Sequence, residues 1–327
     1  TAYEMVAVTG VQTCALPICV GAYTPGEGQE DQMSSSDLLF PERATSVDVA
    51  RNIAGAPSRE AASIFAQGDT YLVSVSYTGK KTGDGTTTGA AVGTFDAQQA
   101  LIGRAAWLAW SDPAAKWVVE GHITDVLKLA DATSSGAGPV ATAIRLSNGP
   151  EIAVDASKTV DTGTLDARQA REFGFETAGT YDRFYGQAGW FRYEVERRLA
   201  LPNPHFSGWY AIAAYSLTGE QHPYDPNTAA FRNLRPAKPL GTPDGWGAWE
   251  LAARYSNIDL DFNPFATAAN GGVAGGKQDI LTLGLNWYPN NTIKFQLNYD
   301  NLRVSHANAP ASDISASAVV LRSQLSF

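Results

Sequence analysis

The sequence predicts an all-β fold, a transmembrane antiparallel up-and-down β-barrel. Three observations support this prediction: apolar and polar residues alternate over long stretches, the connections between those stretches alternate between short and long, and the chain ends on an alternating strand closed by Phe327. No run of about eighteen apolar residues occurs, which excludes a transmembrane helix. A barrel strand has a period of two residues, so its signal averages out in hydropathy.

The alternation is clear in "LTLGLNWY", where Leu281, Leu283 and Leu285 share one face of an extended strand and Thr282 and Asn286 share the other. Most of the predicted strands run to about ten to fourteen residues, whereas strands of soluble sandwiches run to about five or six. The pattern predicts eleven strands after residue 60 and a short twelfth strand near 19–23. The eleven lie at 60–67, 70–78, 100–110, 116–126, 168–179, 183–197, 206–219, 247–260, 278–288, 292–304 and 318–327.

The connections between these strands fall into two classes. Short turns lie at 68–70, 111–115, 180–182 and 289–291, and long loops lie at 79–99, 127–167, 261–276 and 305–317. In a meander this places most short turns at one end and most long loops at the other, which is the pattern of outer-membrane barrels. The exceptions are the long, proline-rich segment 220–246 at the short-turn end and the shorter connection 198–205 at the other end.

Composition narrows the function class. The chain has 24 Lys and Arg residues against 33 Asp and Glu, a net charge of −9, which argues against a nucleic-acid partner. Its four histidines are scattered, and no protease, nucleotide or hydrolase motif is present. "GGVAGG" (271–276) is interpreted as a flexible loop. We therefore predict no catalytic residues, no cofactor and no metal site, and expect the protein not to be an enzyme.

The first residues differ in character from the rest. Residues 8–18, "VTGVQTCALPI", resemble translated sequencing-adapter read-through, and both cysteines, Cys14 and Cys19, lie in this part of the chain. We expect residues 1–19 to be a non-native segment and 20–327 to form the barrel, and a real but unusual strand stays open as an alternative. No basic region followed by an apolar core, as in a signal peptide, is present at the start.

Several stretches resemble the phosphate-selective porin O and P family across about residues 20–327. The most specific are "GAWELAARYS" (247–256) and "LGLNWYPN" (283–290), and "SSSDLLFPERA" (34–44) and the terminal "AVVLRSQLSF" also match. The resemblance implies a sixteen-stranded, usually trimeric barrel in the outer membrane of a Gram-negative bacterium that passes anions such as phosphate. Counted back from Phe327, 19–23 would be the fifth strand, which leaves four strands outside this chain.

On that register, residues 24–59 would be the third extracellular loop, which folds into the lumen of porins as a constriction. Rings of Arg or Lys are the expected device for anion selection, because the guanidinium fork fits oxyanions. The loop contributes Arg43, Arg51 and Arg59 as pore candidates. Strand parity adds Arg104, Arg192, Arg254, Lys294 and Arg322.

The same parity predicts acidic groups in the lumen, and opposite charges on adjacent strands are also consistent with ordinary ion pairs. The acidic candidates are Glu120, Glu172, Glu176, Glu194, Glu250 and Asp300. The chain has few lysines, unlike the family's phosphate-selective members. We therefore expect passive diffusion of small solutes with a modest preference for anions, and keep a non-selective or cation-preferring porin as the alternative.

The expected partners are outer-membrane lipid, small anions, two further copies of the chain in a homotrimer, and the barrel assembly machinery, which would read the terminal Phe327. Two alternatives of other classes remain from the sequence. One is an outer-membrane barrel with an adhesive or enzymatic role, for which 127–167 is the longest candidate loop. The other is a soluble β-sandwich that binds a ligand.

Overall fold

The computed structural model describes residues 17–82, 98–129, 142–152 and 157–326. These residues form two α-helices, α1 (Gln29–Gln32) and α2 (Thr45–Asn52), and two 3-10 helices, Ala268–Asn270 and Pro310–Ser312. The strands in chain order are β1 (Ile18–Tyr23), β2 (Arg59–Gln67), β3 (Tyr71–Lys81), β4 (Gln99–Ser111), β5 (Ala115–Lys128), β6 (Ala143–Ile144), β7 (Ser147–Asn148), β8 (Val160–Asp161), β9 (Leu165–Asp166), β10 (Gln169–Tyr181), β11 (Phe184–Glu196), β12 (His205–Ser216), β13 (Tyr224–Asp225), β14 (Ala230–Phe231), β15 (Ala248–Phe262), β16 (Val273–Tyr288), β17 (Ile293–Ser305) and β18 (Ile314–Leu325).

Twelve long strands form one antiparallel sheet in strict chain order, and six short strands form three small ladders in the loops. The order in the large sheet is β1, β2, β3, β4, β5, β10, β11, β12, β15, β16, β17 and β18. Each predicted strand corresponds to one of these, so the predicted up-and-down antiparallel fold is confirmed. Among the described residues no helix is both long and apolar enough to cross a membrane.

One sequence interpretation was wrong at the start of β16. Residues 273–276 of "GGVAGG" belong to this strand and not to a flexible loop. The register shifts between Asp259 and Asp261 of β15, and Gly276 takes up the irregularity at φ +84°. A bulge of this kind lets pairing resume beyond the interruption, because glycine adopts positive φ at no steric cost.

The two faces of the sheet differ in polarity. One face exposes large apolar side chains, including Val75 at 54%, Trp107 at 58% and Leu321 at 74% of their surface. The opposite face buries polar and charged residues such as Glu120, Arg254 and Gln296. Because the buried face is the polar one, the sheet is inverted relative to a soluble sandwich, as lipid on the outside requires.

The chain between β1 and β2 lies on the polar face, and we call residues 24–58 the inner segment. Side chains of seven strands hydrogen-bond to it: β5, β10, β11, β15, β16, β17 and β18. A flat sheet could not bring so many strands to one short segment. The sheet is therefore curled around the inner segment, with the polar face inward.

Two local features shape the inner segment. α2 buries Val47, Val49 and Ala50 against the wall strands, and Asp48 in its first turn and Arg51 in its last turn complement the helix dipole. Loops at both ends of the barrel also reach inward. Glu151 enters from the loop that carries β6 to β9, and the backbone of Thr228 enters from the loop that carries β13 and β14.

Candidate pore constriction

The backbone of residues 38–42 is tied to the barrel wall through its carbonyl groups. The carbonyls of Leu38, Leu39, Pro41 and Glu42 accept hydrogen bonds from inward side chains of four strands, so the wall holds this stretch from several sides. The bonds run from Lys294 Nζ to Leu38 O, from Asn286 Nδ2 to Leu39 O (3.0 Å), from Arg322 Nη1 to Pro41 O (3.0 Å) and from Arg254 Nη1 to Glu42 O (2.7 Å).

Arg254 is the centre of a buried charge cluster. Its Nη2 donates to Glu151 Oε2 at 2.6 Å, its Nη1 lies 3.7 Å from Glu30 Oε1, and its guanidinium lies 4.6 Å above the ring of Phe40. Burial raises the pKa of Glu30, although the attraction of Arg254 opposes this rise. One guanidinium thus joins the wall, the inner segment and the loop that carries β6 to β9.

The two arginines of the inner segment are partly exposed, and both make hydrogen bonds or ion pairs to other residues of the segment. Arg43 donates from Nε to Glu30 O at 3.0 Å and from Nη2 to Met33 O at 2.7 Å. Arg51 pairs with Asp31 and lies 3.4 Å from Asp48 Oδ1. Burial raises the pKa of Asp48, and the charge of Arg51 offsets that rise only in part.

Two further predicted pore residues are fully buried. Arg59 of β2 donates to Thr78 Oγ1 and to Gly79 O, each at 2.9 Å. Arg104 of β4 donates to Glu120 Oε2 at 2.6 Å and to Thr228 O at 2.8 Å. Lys294 and Arg254 are also buried. Of the seven predicted basic residues on the inner side, Arg43, Arg51 and Arg322 therefore keep partial exposure.

The structure places Arg192 on the other face from the one that parity predicted. Arg192 and Glu194 share the outer face of β11 with the exposed Trp190, and Arg192 Nε donates to Glu194 Oε1 at 2.7 Å. The inner face carries Phe191 and Tyr193, whose hydroxyl donates to Ser46 O beneath α2. The polarity of the faces reverses here because this stretch lies at the long-loop end of the barrel, where an outer face beyond the apolar band tolerates charge.

The other acidic candidates lie on the inward face and are buried: Glu120, Glu172, Glu176, Glu250 and Asp300. The structure also brings in histidines that sequence spacing left scattered. His222 Nε2 lies 2.6 Å from Glu250 Oε1, and His122 lies among Glu120, Glu172 and Glu176. Alternation on β5 could have revealed part of this histidine–carboxylate group, because His122 and Glu120 are two residues apart and therefore share a face.

The arrangement is a curled sheet with an apolar outer face and a polar inner face, in which several buried charged groups hold the inner segment. Such a scaffold can define an aqueous path, and the described residues show no assembled nucleophile and base. Its chemistry is recognition by charge and shape.

Comparison with known proteins agrees with this geometry. The family model for phosphate-selective porin O and P matches residues 6–327. Over 157 residues, 47% of this chain, the sequence is 33% identical to Porin O of Pseudomonas aeruginosa (strain PAO1), and the matched stretch is 35% of that protein. Over 150 residues, 46% of this chain, it is 33% identical to an uncharacterized protein of Caulobacter vibrioides (strain CB 15), of which the match covers 28%.

The chain matches 28% and 35% of the length of the two curated relatives, and the family model matches nearly the whole of this chain. Proteins of this family are porins of the outer membrane of Gram-negative bacteria, channels and not enzymes. The inverted polarity of the sheet fits that location. The chain belongs to the phosphate-selective porin O and P family.

Proposed function

We propose that this protein is an outer-membrane channel for passive diffusion of small hydrophilic solutes, with a preference for small anions such as phosphate. The observation that carries the proposal is the sheet with lipid-facing apolar residues and a polar lumen, curled around one internal segment. A polar lumen lowers the cost of transferring a hydrated solute across the membrane, whereas an apolar one would exclude it.

The inner segment would be the constriction in this proposal, and the basic residues would divide into two groups. The four buried residues would be structural. Arg254 and Lys294 would hold the segment in place, because they donate to its carbonyls, and Arg59 and Arg104 would brace the wall, because they donate to neighbouring strands. Arg43, Arg51 and Arg322 would set the local field, because they keep partial exposure. Anion preference would then depend on the second group.

A specific observation favours the alternative of a non-selective or cation-preferring porin. The inner segment itself carries six acidic residues and two arginines, and further buried carboxylates lie on the wall. The six are Glu27, Glu30, Asp31, Asp37, Glu42 and Asp48. If the ion pairs leave a net negative field along the path, cations will pass more easily than anions.

The proposal includes further partners. The exposed apolar band would contact outer-membrane lipid, and two further copies would complete a homotrimer. The barrel assembly machinery would recognise the end of the chain at Phe327, a residue that lies outside the described part.

The reversal potential in a planar bilayer under a salt gradient tests the sign of selectivity. The anion channel predicts reversal near the chloride potential, and reversal near the potassium potential would establish the alternative. Arg322→Gln should lower the anion-to-cation permeability ratio by about fivefold or more, since a unit charge at about 4 Å in water contributes about 1 kcal/mol to the energy of each ion, with opposite sign for anion and cation. Arg192→Gln, which removes the same charge on the outer face, is the matched control and should leave the ratio unchanged.

A further inference from the structure

A second polar site lies on the inner wall, away from the carbonyl groups of residues 38–42. Glu120 of β5 and Glu176 of β10 face each other directly in the antiparallel register, and both are buried on the inward side. Like charges directly opposite one another destabilise a sheet unless something compensates them. His122 is two residues from Glu120 on the same face.

The ligand atoms of Glu120, His122 and Glu176 lie within 4.8 Å of one another. His122 Nδ1 faces Glu176 Oε2 at 3.9 Å, and Nε2 on the other side of the ring faces Glu172 Oε1 at 3.1 Å. A carboxylate at one ring nitrogen orients the imidazole and leaves the other nitrogen for a metal, which is a recurrent arrangement at metal sites.

Several atoms of this cluster are buried without a hydrogen-bond partner among the described residues. They are both ring nitrogens of His122, Glu120 Oε1 and both carboxylate oxygens of Glu172. Their residues are at most 6% exposed. Buried polar groups are nearly always paired, and each unpaired one costs about 1–3 kcal/mol. The cluster therefore suits a bound group, such as a metal ion, that accepts lone pairs from both a nitrogen and an oxygen.

Glycines make room for these side chains. A methyl group on Gly174 would lie 1.9 Å from His122 Nε2, and one on Gly28 of the inner segment would lie 1.8 Å from Glu176 Oε2. Hydrogen bonds fix both ligand carboxylates: Glu120 Oε2 accepts from Arg104 and Gln29, and the two oxygens of Glu176 accept from Tyr210 and from the Gln29 backbone amide. The cluster is thus held in position with ligand atoms of two acids and one imidazole close together.

The chemistry of the cluster favours a cation as the missing partner. Three carboxylates, Glu120, Glu172 and Glu176, surround the His122 ring, and the guanidinium of Arg104 pairs with Glu120. A divalent cation would place positive charge among these carboxylates. One imidazole nitrogen with two carboxylate oxygens suits Zn²⁺ and similar transition metals, whereas Mg²⁺ and Ca²⁺ prefer oxygen ligands alone.

We propose that Glu120, His122 and Glu176 form a binding site for one divalent transition metal ion, with Zn²⁺ as the best fit. Zinc bonds of about 2.0–2.2 Å would draw the three atoms together by about 1 Å, within the reach of side-chain torsions. Glu172 is a positioning residue that orients the His122 ring. Because Gln29 bonds both carboxylate ligands, the metal would also secure α1 against the wall. This inference is independent of the sign of ion selectivity.

The test is equilibrium dialysis of the full chain in detergent micelles, stripped with EDTA and returned to Zn²⁺ at pH 7.5, with metal content measured by mass spectrometry. One Zn²⁺ per chain is expected to bind saturably. His122→Ala and Glu176→Gln should each weaken binding by tenfold or more, and Glu172→Gln should weaken it by about 10–100-fold, as loss of an orienting partner does. His306→Ala is the matched control, since His306 also lies near a carboxylate, at 3.9 Å from Asp313 Oδ1, but outside the cluster.

Absence of saturable binding by the folded wild-type chain would overturn the proposal, as would variants of His122 and Glu176 that bind like wild type. Folding of each variant is checked by heat-modifiable migration on a gel. If the variants do not fold, zinc-edge X-ray absorption of the wild-type chain decides. Scattering from one imidazole with oxygen neighbours supports the site, and a shell of oxygens alone contradicts it.

Discussion

Gly174 of β10 lies directly opposite His122 of β5, and the space that a side chain would take at position 174 is filled by the imidazole ring. A methyl group there would lie 1.9 Å from Nε2 and 2.1 Å from Cε1 of His122. The position of the histidine among its three carboxylates therefore depends on the absence of a side chain on the neighbouring strand.

Gly174→Ala should displace the His122 ring and destabilise the barrel by about 1–3 kcal/mol, the usual cost of overpacking. The same variant should lose most of its Zn²⁺ affinity if the proposed site is correct. Unfolding by urea in micelles measures the first effect and dialysis the second. Gly121→Ala is the control, because its nearest contact would be Gly174 O at 3.8 Å. Equal stability of the two variants would contradict the prediction.

Arg254→Ala should be among the most destabilising substitutions in the chain. It removes the guanidinium between Glu30 and Glu151 and leaves two carboxylates buried without their cation. Loss of one partner of a buried pair costs about 3–5 kcal/mol. The measurement is the urea midpoint in micelles, together with protease sensitivity of residues 24–58.

Arg171→Ala provides the comparison for Arg254. Arg171 pairs with Asp125 at 3.3 Å on the outer face, and its side chain is 44% exposed. An exposed pair of this kind contributes about 0–1 kcal/mol. A cost for Arg254→Ala no greater than that for Arg171→Ala would show that the buried cluster does not hold the inner segment.

Asp48 should make stability depend on pH. Its pKa in the folded chain is raised from 3.8, with burial as the main cause, so the folded state binds this proton more tightly than the unfolded state does. The protonated Asp48 carboxyl contributes its full stabilisation of the fold below about pH 3.8, and this contribution is lost as pH rises through the higher folded pKa. The side chain at this position in the Asp48→Asn variant does not titrate, so the variant does not lose this contribution. The unfolding free energy of the variant minus that of wild type should therefore increase with pH, by less than about 1.4 kcal/mol per pH unit.

Urea unfolding of wild type and Asp48→Asn between pH 3.5 and 7 checks this prediction. A difference that is constant, or that falls as pH rises, would contradict it and would mean that the charge of Arg51 outweighs burial. The control is Asp313→Asn in the exposed loop before β18, which removes a carboxylate that lies outside the inner segment.

Leu283→Arg should test where the apolar band lies. Leu283 is exposed on the outer face near the middle of β16, opposite Tyr299 of β17. Arginine at the bilayer midplane of a barrel costs about 2–4 kcal/mol, falling to about 0–1 kcal/mol near the interface. Leu127→Arg is the matched control, because Leu127 is exposed near the end of β5.

The comparison uses unfolding in lipid bilayers, since micelles adapt to the added charge. A clear difference between the Leu283 and Leu127 variants is expected. Equal costs would mean that position 283 does not lie at the depth of the hydrocarbon core.

Residue alternation was enough to predict every long strand, because a strand with lipid on one side and polar groups on the other must repeat with a period of two. It was not enough at β11, where Arg192 lies outside and Tyr193 inside. Alternation separates the residues of a strand into two faces but does not show which face is turned inward. Near the end of a strand, a polar face is no longer a reliable sign of the inward side. The small ladders β6 to β9, and α2, carried too short a pattern to be recognised.

For the site residues too, the sequence predicted which face a side chain lies on but not which groups it contacts. Sequence spacing identified Arg104, Arg254 and Lys294 as inward-facing, but it could not show that their donors bind Glu120, Glu151 and Leu38 O. Those partners lie between 16 and 256 positions away along the chain. His122 was left aside for the same reason, because Glu172 and Glu176 lie on a strand beyond a long loop.

The sequence by itself therefore determined the fold class, the order of the strands and the polarity of most faces, since these follow from local periodicity and short turns. The tertiary structure alone decided which charged groups are buried, which hold the inner segment and which gather around His122. Those outcomes depend on how the sheet curls around residues 24–58. Curling brings together side chains whose separation in sequence carries no information about their distance in space.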